Sequence, residues 1–174
     1  KKLVKSRGKK RELVNIVDEV GRKEGLNLDV QIYARKSILD QSSSNPSLIY
    51  QLKDSRVIYG KLKILSGASI SKLDLRMKLD WSEGLSLRSD SEEIYYAIRN
   101  ALLILLLMNK TVDNYVLRKN VVDILGIDLI WKLRMNKASK LERKLTLNYL
   151  NLMTHYLEEE LKNKKWEKIE IERL

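Results

Sequence analysis

Residues 72–81 read KLDLRMKLDW, and the fold of the chain turns on this stretch. Leu73, Leu75, Met77, Leu79 and Trp81 alternate with Lys72, Asp74, Arg76, Lys78 and Asp80. A strict period of two puts the apolar side chains on one face of a strand and the charges on the other. The alternation therefore predicts a strand with one wet face, joining two dissimilar halves. The expected class is α+β: a mixed α/β domain over residues 1–65, a connecting strand or linker over 66–88, and an all-α helical bundle over 89–174.

On the C-terminal side the pattern is helical throughout. In "SDSEE", Ser89 is placed to cap a helix while Glu92 reaches back, as in a capping box. That helix runs to about Asn109, with Ile94, Ile98, Ala101, Leu102 and Leu105 on one side. A second, roughly Asn114–Leu125, is stopped by Gly126, and "DLIWKLRM" makes a short third. Ser139 and Glu142 repeat the capping box before a long fourth helix with the stripe Leu141, Leu145, Tyr149, Leu152 and Tyr156. Four helices with short links suggest a bundle. The charged tail "KKWEKIEIERL" reads as a frayed helix or an edge strand.

The N-terminal side mixes periods. Leu3-Val4 could end a strand, followed by the loop "KSRGKKR". "ELVNIVDEVGRKEG" places Leu13, Val17 and Val20 on one helical face closed by Gly25. "LDVQIYA" alternates, with Leu28, Val30 and Ile32 opposite Asp29, Gln31 and Tyr33. "KSILD" is at most a helical turn, "QSSSNP" a loop, "SLIYQL" a short helix and "RVIYG" a strand stopped by Gly60. Asp is a poor strand former, so Asp29 needs a reason: water at a sheet edge, or a cation.

Composition narrows the chemistry. The 174 residues are 44% hydrophobic, enough for a core, and carry a net charge of +11 that favours polyanionic partners. With no Cys, disulfides, thiolate metal sites and Cys nucleophiles are excluded, in keeping with a cytoplasmic, reducing location. The single His155 leaves no multi-histidine metal site and reads as a partly exposed structural residue. The seven Gly form no phosphate loop, and no nucleophile elbow occurs. "ALLILLLM" at 101–108 is far short of the roughly 20 residues that span a bilayer. No membrane association is expected.

The stretch from Leu3 to Gly60 resembles the C-terminal half of a nucleotidyltransferase domain of the polymerase-β-like superfamily. In small members, a strand bearing two acids precedes a loop and helix. A strand reading like "vDvxxy" then carries a third acid, and a short helix leads to a final strand like "vlYG". Here Asp29 falls on the third acid, and Val57, Ile58, Tyr59 and Gly60 on the closing strand. The family's Gly-Ser turn and Asp-x-Asp pair are not present in the chain. The lysine start favours a parent protein that carries them upstream; the other reading is a degenerate relative without chemistry.

The resemblance implies a two-metal phosphoryl-transfer site in which acids hold Mg²⁺ and a nucleoside monophosphate passes from an NTP to a hydroxyl acceptor. Asp29 would be both metal ligand and catalytic base. Lys5, Arg7, Lys9 and Lys10, in the expected loop, are candidates for phosphate contacts. The helical part resembles HEPN-type bundles more weakly, since Arg143 stands twelve residues before His155 and misses the Arg-x4–6-His spacing of HEPN ribonucleases. The alternative function is a non-catalytic basic module that binds nucleic acid or a protein partner. Lys137, Lys140 and Lys144 would carry it, lying within about 60° of each other on an ideal helix beside the apolar stripe. A homodimer is compatible with either reading.

Overall fold

The computed structural model describes residues 2–25, 35–41, 44–53, 55, 67–86 and 90–172. They divide into two compact units, Lys1–Ile38 and Leu39–Leu174. The first is built on helix α1 (Lys2–Lys23). Gly25, at φ 68°, follows its end and donates to the Arg22 carbonyl, the stop expected from the sequence. The expected strand end at Leu3-Val4 and the loop of residues 5–11 are instead the first turns of α1. Gly8 does not break this helix, since one glycine costs a helix interior only about 1 kcal/mol. Asp29 and the segment Val57–Gly60 lie outside the described residues.

Helix α2 (Arg35–Gln41) is longer than the single turn expected, and α3 (Pro46–Lys53) is the anticipated short helix. Asn45 caps α3, its side-chain oxygen accepting from the backbone N–H of Ser47 and Leu48 at 3.1 and 3.2 Å. Pro46 follows, where its missing N–H costs nothing. Next come strand β1 (Gly67–Ser71) and helices α4 (Lys72–Ser86), α5 (Ser91–Met108), α6 (Asn114–Leu125), α7 (Ile127–Arg134) and α8 (Lys140–Asn163). Strand β2 (Lys168–Glu172) pairs antiparallel with β1, Gly67 opposite Glu172 and Ser71 opposite Lys168. The tail is thus a strand. The class is α+β and rich in helix.

Residues 72–81 are helical, which overturns the connecting strand. Ser71 and Asp74 explain why. The Asp74 carboxylate accepts from the Ser71 N–H at 2.8 Å, and the Asp74 N–H donates to the Ser71 hydroxyl oxygen at 3.1 Å. This is a reciprocal cap of the capping-box kind. The alternation survives as two rows of one helix, spaced by four residues and about 200° apart. Leu75 and Leu79 are buried at 0% and 1% exposure, whereas Leu73, Met77 and Trp81 remain 65%, 62% and 50% exposed.

Helix α5 is the centre of the second unit. Twelve of its 18 residues are buried, including the expected Ile94, Ile98, Ala101 and Leu102. Helices α3, α4, α6, α7 and α8 all pack on it. Its N-cap is Asp90, which accepts from the Glu92 N–H at 3.0 Å, rather than Ser89. At the other end the Lys110 N–H reaches the Leu107 carbonyl at 2.8 Å and the Thr111 N–H reaches Leu106 at 2.9 Å. This double bond pattern is a Schellman closure. Helix α7 ends the same way, through Asn136 and Lys137. The Asn136 side chain also accepts from the Ser91 N–H at 2.9 Å, tying the end of α7 to the start of α5.

The Ser139–Glu142 capping box is present as expected. The stripe on α8 has a different role. Leu141, Leu145, Tyr149, Leu152 and Tyr156 are exposed, and Thr146, Leu150, Met153, Thr154, Leu157 and Leu161 face the core. Both threonine hydroxyls donate within their own helix, to the carbonyls of Glu142 and Asn151, so the core row buries no unsatisfied hydroxyl.

Lys110 adopts φ 57°, a left-handed conformation that penalises any side chain with a Cβ, and it is exposed. Lys110→Gly is expected to raise unfolding free energy by about 1 kcal/mol. Urea denaturation monitored by circular dichroism measures it, and an unchanged or lower midpoint contradicts the assignment.

Candidate functional site

A cleft of about 430 Å³ opens in the second unit between the start of α3 and one face of α4. Gln41, Ser44, Asn45, Pro46 and Ser47 form one wall, and Asp74, Met77, Lys78 and Trp81 the other. Its size falls in the range of small-molecule sites. The sequence builds it from local signals. The Asn-Pro start turns the chain into α3, and the second apolar row of α4, having no core to enter, supplies Met77 and Trp81.

Lys78 is the cation among the residues that line this cleft. Its Nζ lies 4.2 Å from the centre of the Trp81 ring, a cation–π contact. Burial, and secondarily the positive charge of Arg99, lowers its pKa from 10.5 to about 8. Asp74, on the same wall, is occupied by Ser71, whose hydroxyl donates to it at 2.7 Å. The cleft thus offers a cation that sheds its proton easily, an aromatic face and several small polar groups. Such a set suits an anion joined to a flat ring.

The expected site residues are placed as follows. Asp29 lies outside the described residues. Lys5, Arg7, Lys9 and Lys10 sit on α1 instead of on a loop, and Lys9 and Lys10 are exposed there. Among the described residues no group of three or more His, Cys, Asp or Glu could hold the Mg²⁺ implied by the resemblance. Lys140 and Lys144 are exposed on the first turns of α8, as anticipated. Lys137 is not on that helix; it follows α7, and its Nζ stands 4.8 Å from the Trp131 ring.

Beside that strip, Lys132 bridges Asp128 at 2.7 Å and Glu142 at 2.9 Å. Hydrogen bonds to Asp128 and then Glu142 raise the Lys132 pKa to about 12. The bond from Lys132, and then the cap with Ser139, lower Glu142 to about 2.

Sequence reasoning missed Lys78 and Trp81 as site residues because a strand reading put them on opposite faces. On a helix, residues 78 and 81 are neighbours at i and i+3. The signal that would have found them was Ser71-x-x-Asp74, a helix start just before the apolar run.

Compared with known proteins, the chain matches no family model, no curated protein and no solved structure. No described helix is long and apolar enough to cross a membrane.

Lys78 should leave a signature in the pH dependence of stability. Between its folded pKa of about 8 and the ordinary 10.5, the unfolded chain holds a proton that the folded chain has lost. Stability therefore rises with pH across that window, and below about pH 8 the full cost of burying the charge is present. Lys78→Met should flatten the rise relative to wild type in urea midpoints measured from neutral to alkaline pH. Parallel curves for the two proteins would contradict it.

Proposed function

We propose that the chain is a nucleotidyltransferase-like protein whose α3–α4 cleft receives the phosphate-bearing substrate. The observation that supports this is Lys78, held over Trp81 in a cleft that the start of α3 helps to form. In the resemblance, the short helix between the third acid and the closing strand corresponds to α3. A nucleotide offers the chemistry the cleft suits: phosphate oxygens for Lys78 and small donors such as Ser47, with a base for the apolar surface of Met77 and Trp81. By the resemblance, transfer would join the acceptor oxygen to the α-phosphorus and release pyrophosphate, the hydroxyl proton passing to a carboxylate, the role that the resemblance gives to Asp29.

An anion beside Lys78 favours its charged form, so its pKa climbs on binding. At pH 8, where Lys78 is close to half protonated, NTP binding should take up a fraction of a proton. Calorimetry in buffers of differing ionisation enthalpy reads this directly. Lys78→Met should abolish the uptake and weaken binding by about tenfold or more. Asp29→Asn should abolish transfer and leave the melting temperature unchanged. Absence of NTP binding, or binding indifferent to Lys78, would sink the reading.

A second reading is favoured by Lys137 over the half-exposed Trp131 ring, with Lys140 and Lys144 close in sequence. Cations interleaved with an aromatic suit single-stranded nucleic acid, whose phosphates and bases they meet in turn. Here affinity for an oligonucleotide falls steeply with salt, and each lysine replaced by alanine lowers the salt slope by about one. Lys78→Met leaves that binding intact, which separates the two readings.

A further inference from the structure

A lysine on a helix commonly keeps its charge by leaning on a carboxylate three or four residues away. Around Lys78 none of those positions serves. Asp74, four residues before it, is turned to the start of α4, where it accepts from the Ser71 N–H and hydroxyl at 2.8 and 2.7 Å. Leu75 and Trp81, each three residues away, carry no charge. Ser82, four residues after, donates its hydroxyl to the Lys78 carbonyl at 2.9 Å. The neighbouring elements bring no anion either. The α3 wall of the cleft holds no titratable group, and α5 contributes Arg99, a second cation. Asp80 of α4 and Glu158 of α8 act on Glu83 instead. Among the described residues no carboxylate reaches the Lys78 amine, whereas Lys23, Lys132, Lys162 and Lys164 each have one. The favourable contact its charge does have is the face of Trp81.

An amine held partly out of water, beside another cation and with no anion, is in the setting that frees a lysine lone pair near neutral pH. The lowered pKa of Lys78, about 8, agrees with that setting. We propose that Lys78 is a nucleophile that condenses with an aldehyde borne on a flat ring, forming an imine in the α3–α4 cleft. The neutral Nζ attacks the carbonyl carbon; a C–N bond forms, and the carbonyl π electrons move to the oxygen, which takes a proton. The carbinolamine then loses that oxygen together with the two amine protons as one water, leaving a C=N bond. No oxidant or reductant is needed. Met77 and Trp81 flank the amine with apolar surface for the ring, and Gln41, Ser44 and Ser47 line the opposite wall as donors for its polar substituents. The reaction belongs to the amine and its surroundings and does not depend on whether the cleft takes a nucleotide.

Benzaldehyde tests this on the intact chain. Brief exposure followed by excess borohydride reduces any imine to a stable benzylamine, and peptide mass mapping then reads each lysine separately. At pH 8 roughly half of the Lys78 amine is neutral, so trapping there should exceed that at the exposed Lys9, Lys10, Lys140 and Lys144 by about tenfold or more. The amount trapped at Lys78 should rise through about pH 8 and level off above it, which access alone would not produce. Arg99→Met should move that midpoint upward and reduce trapping at pH 8, and Arg99→Lys should restore it. In urea that unfolds the chain the preference should vanish. Propanal, which has no ring, should favour Lys78 less than benzaldehyde does. Trapping at Lys78 no greater than at the exposed lysines, or a preference that survives in urea, overturns the proposal. Equal preference for propanal and benzaldehyde overturns the assignment of a flat ring.

Discussion

Everything in the second unit answers to one demand: α5 is apolar almost all the way round, and no single neighbour can cover it. Leu103, Ile104 and Leu107 are fully buried on it, each worth roughly 1.5–3 kcal/mol when removed from water. A helix buried on one stripe needs one partner; this one needs a shell. Helices α3, α4, α6, α7 and α8 supply that shell, each giving α5 one apolar row and turning its charges outward. The order in which they are arranged is a consequence of short links, which force successive helices to lie beside one another.

A greasy shell alone would leave its members free to slide. Polar contacts at the helix ends fix their places. Tyr50 donates to the Thr111 carbonyl at 2.7 Å, Lys53 donates to the Val112 carbonyl, and the Asn114 side chain donates to the Tyr50 carbonyl at 2.9 Å. These bonds lock α3 against the turn that joins α5 to α6. The Tyr50 hydroxyl, pushed well above its usual pKa by burial, stays protonated and can keep donating. The opposite end of α3 forms one wall of the cleft beside Lys78.

How much of this was legible in the sequence varies by element, for physical reasons. The bounds of α6 and the capping box of α8 were read correctly because Gly126, Ser139 and Glu142 act locally, through bonds within a few residues. The buried face of α5 was legible because nearly all its faces are apolar. Residues 72–81 misled because an alternation in sequence is also two rows on a helix, and only the cap at Ser71 separates the cases. On α8 the two apolar rows are almost equal in hydrophobicity, and the row that goes inward is chosen by α4 and α5, which one helix's pattern does not contain. The candidate cleft inherited the same blindness, since Trp81 joins Lys78 on one face only once α4 is known to be a helix. The N-terminal cations were placed on a loop between an expected strand end at Leu3-Val4 and the apolar stripe that begins at Leu13, although residues 5–11 continue the helix.

The small sheet has a mechanical consequence. Its strands are about a hundred residues apart in sequence, and Ile70 and Ile169 face each other, buried, one rung in from the inner end of the ladder. The outer ends of both strands, Gly67 and Glu172, lie at the same end of that ladder. Tension applied directly between Gly67 and Glu172 would therefore load the hydrogen bonds one at a time, peeling the strands apart instead of shearing them. Under that load α4 and α8 would feel the pull only after the last rung, at Ser71 and Lys168, had parted. The sheet acts as a clasp that yields under force before the core does.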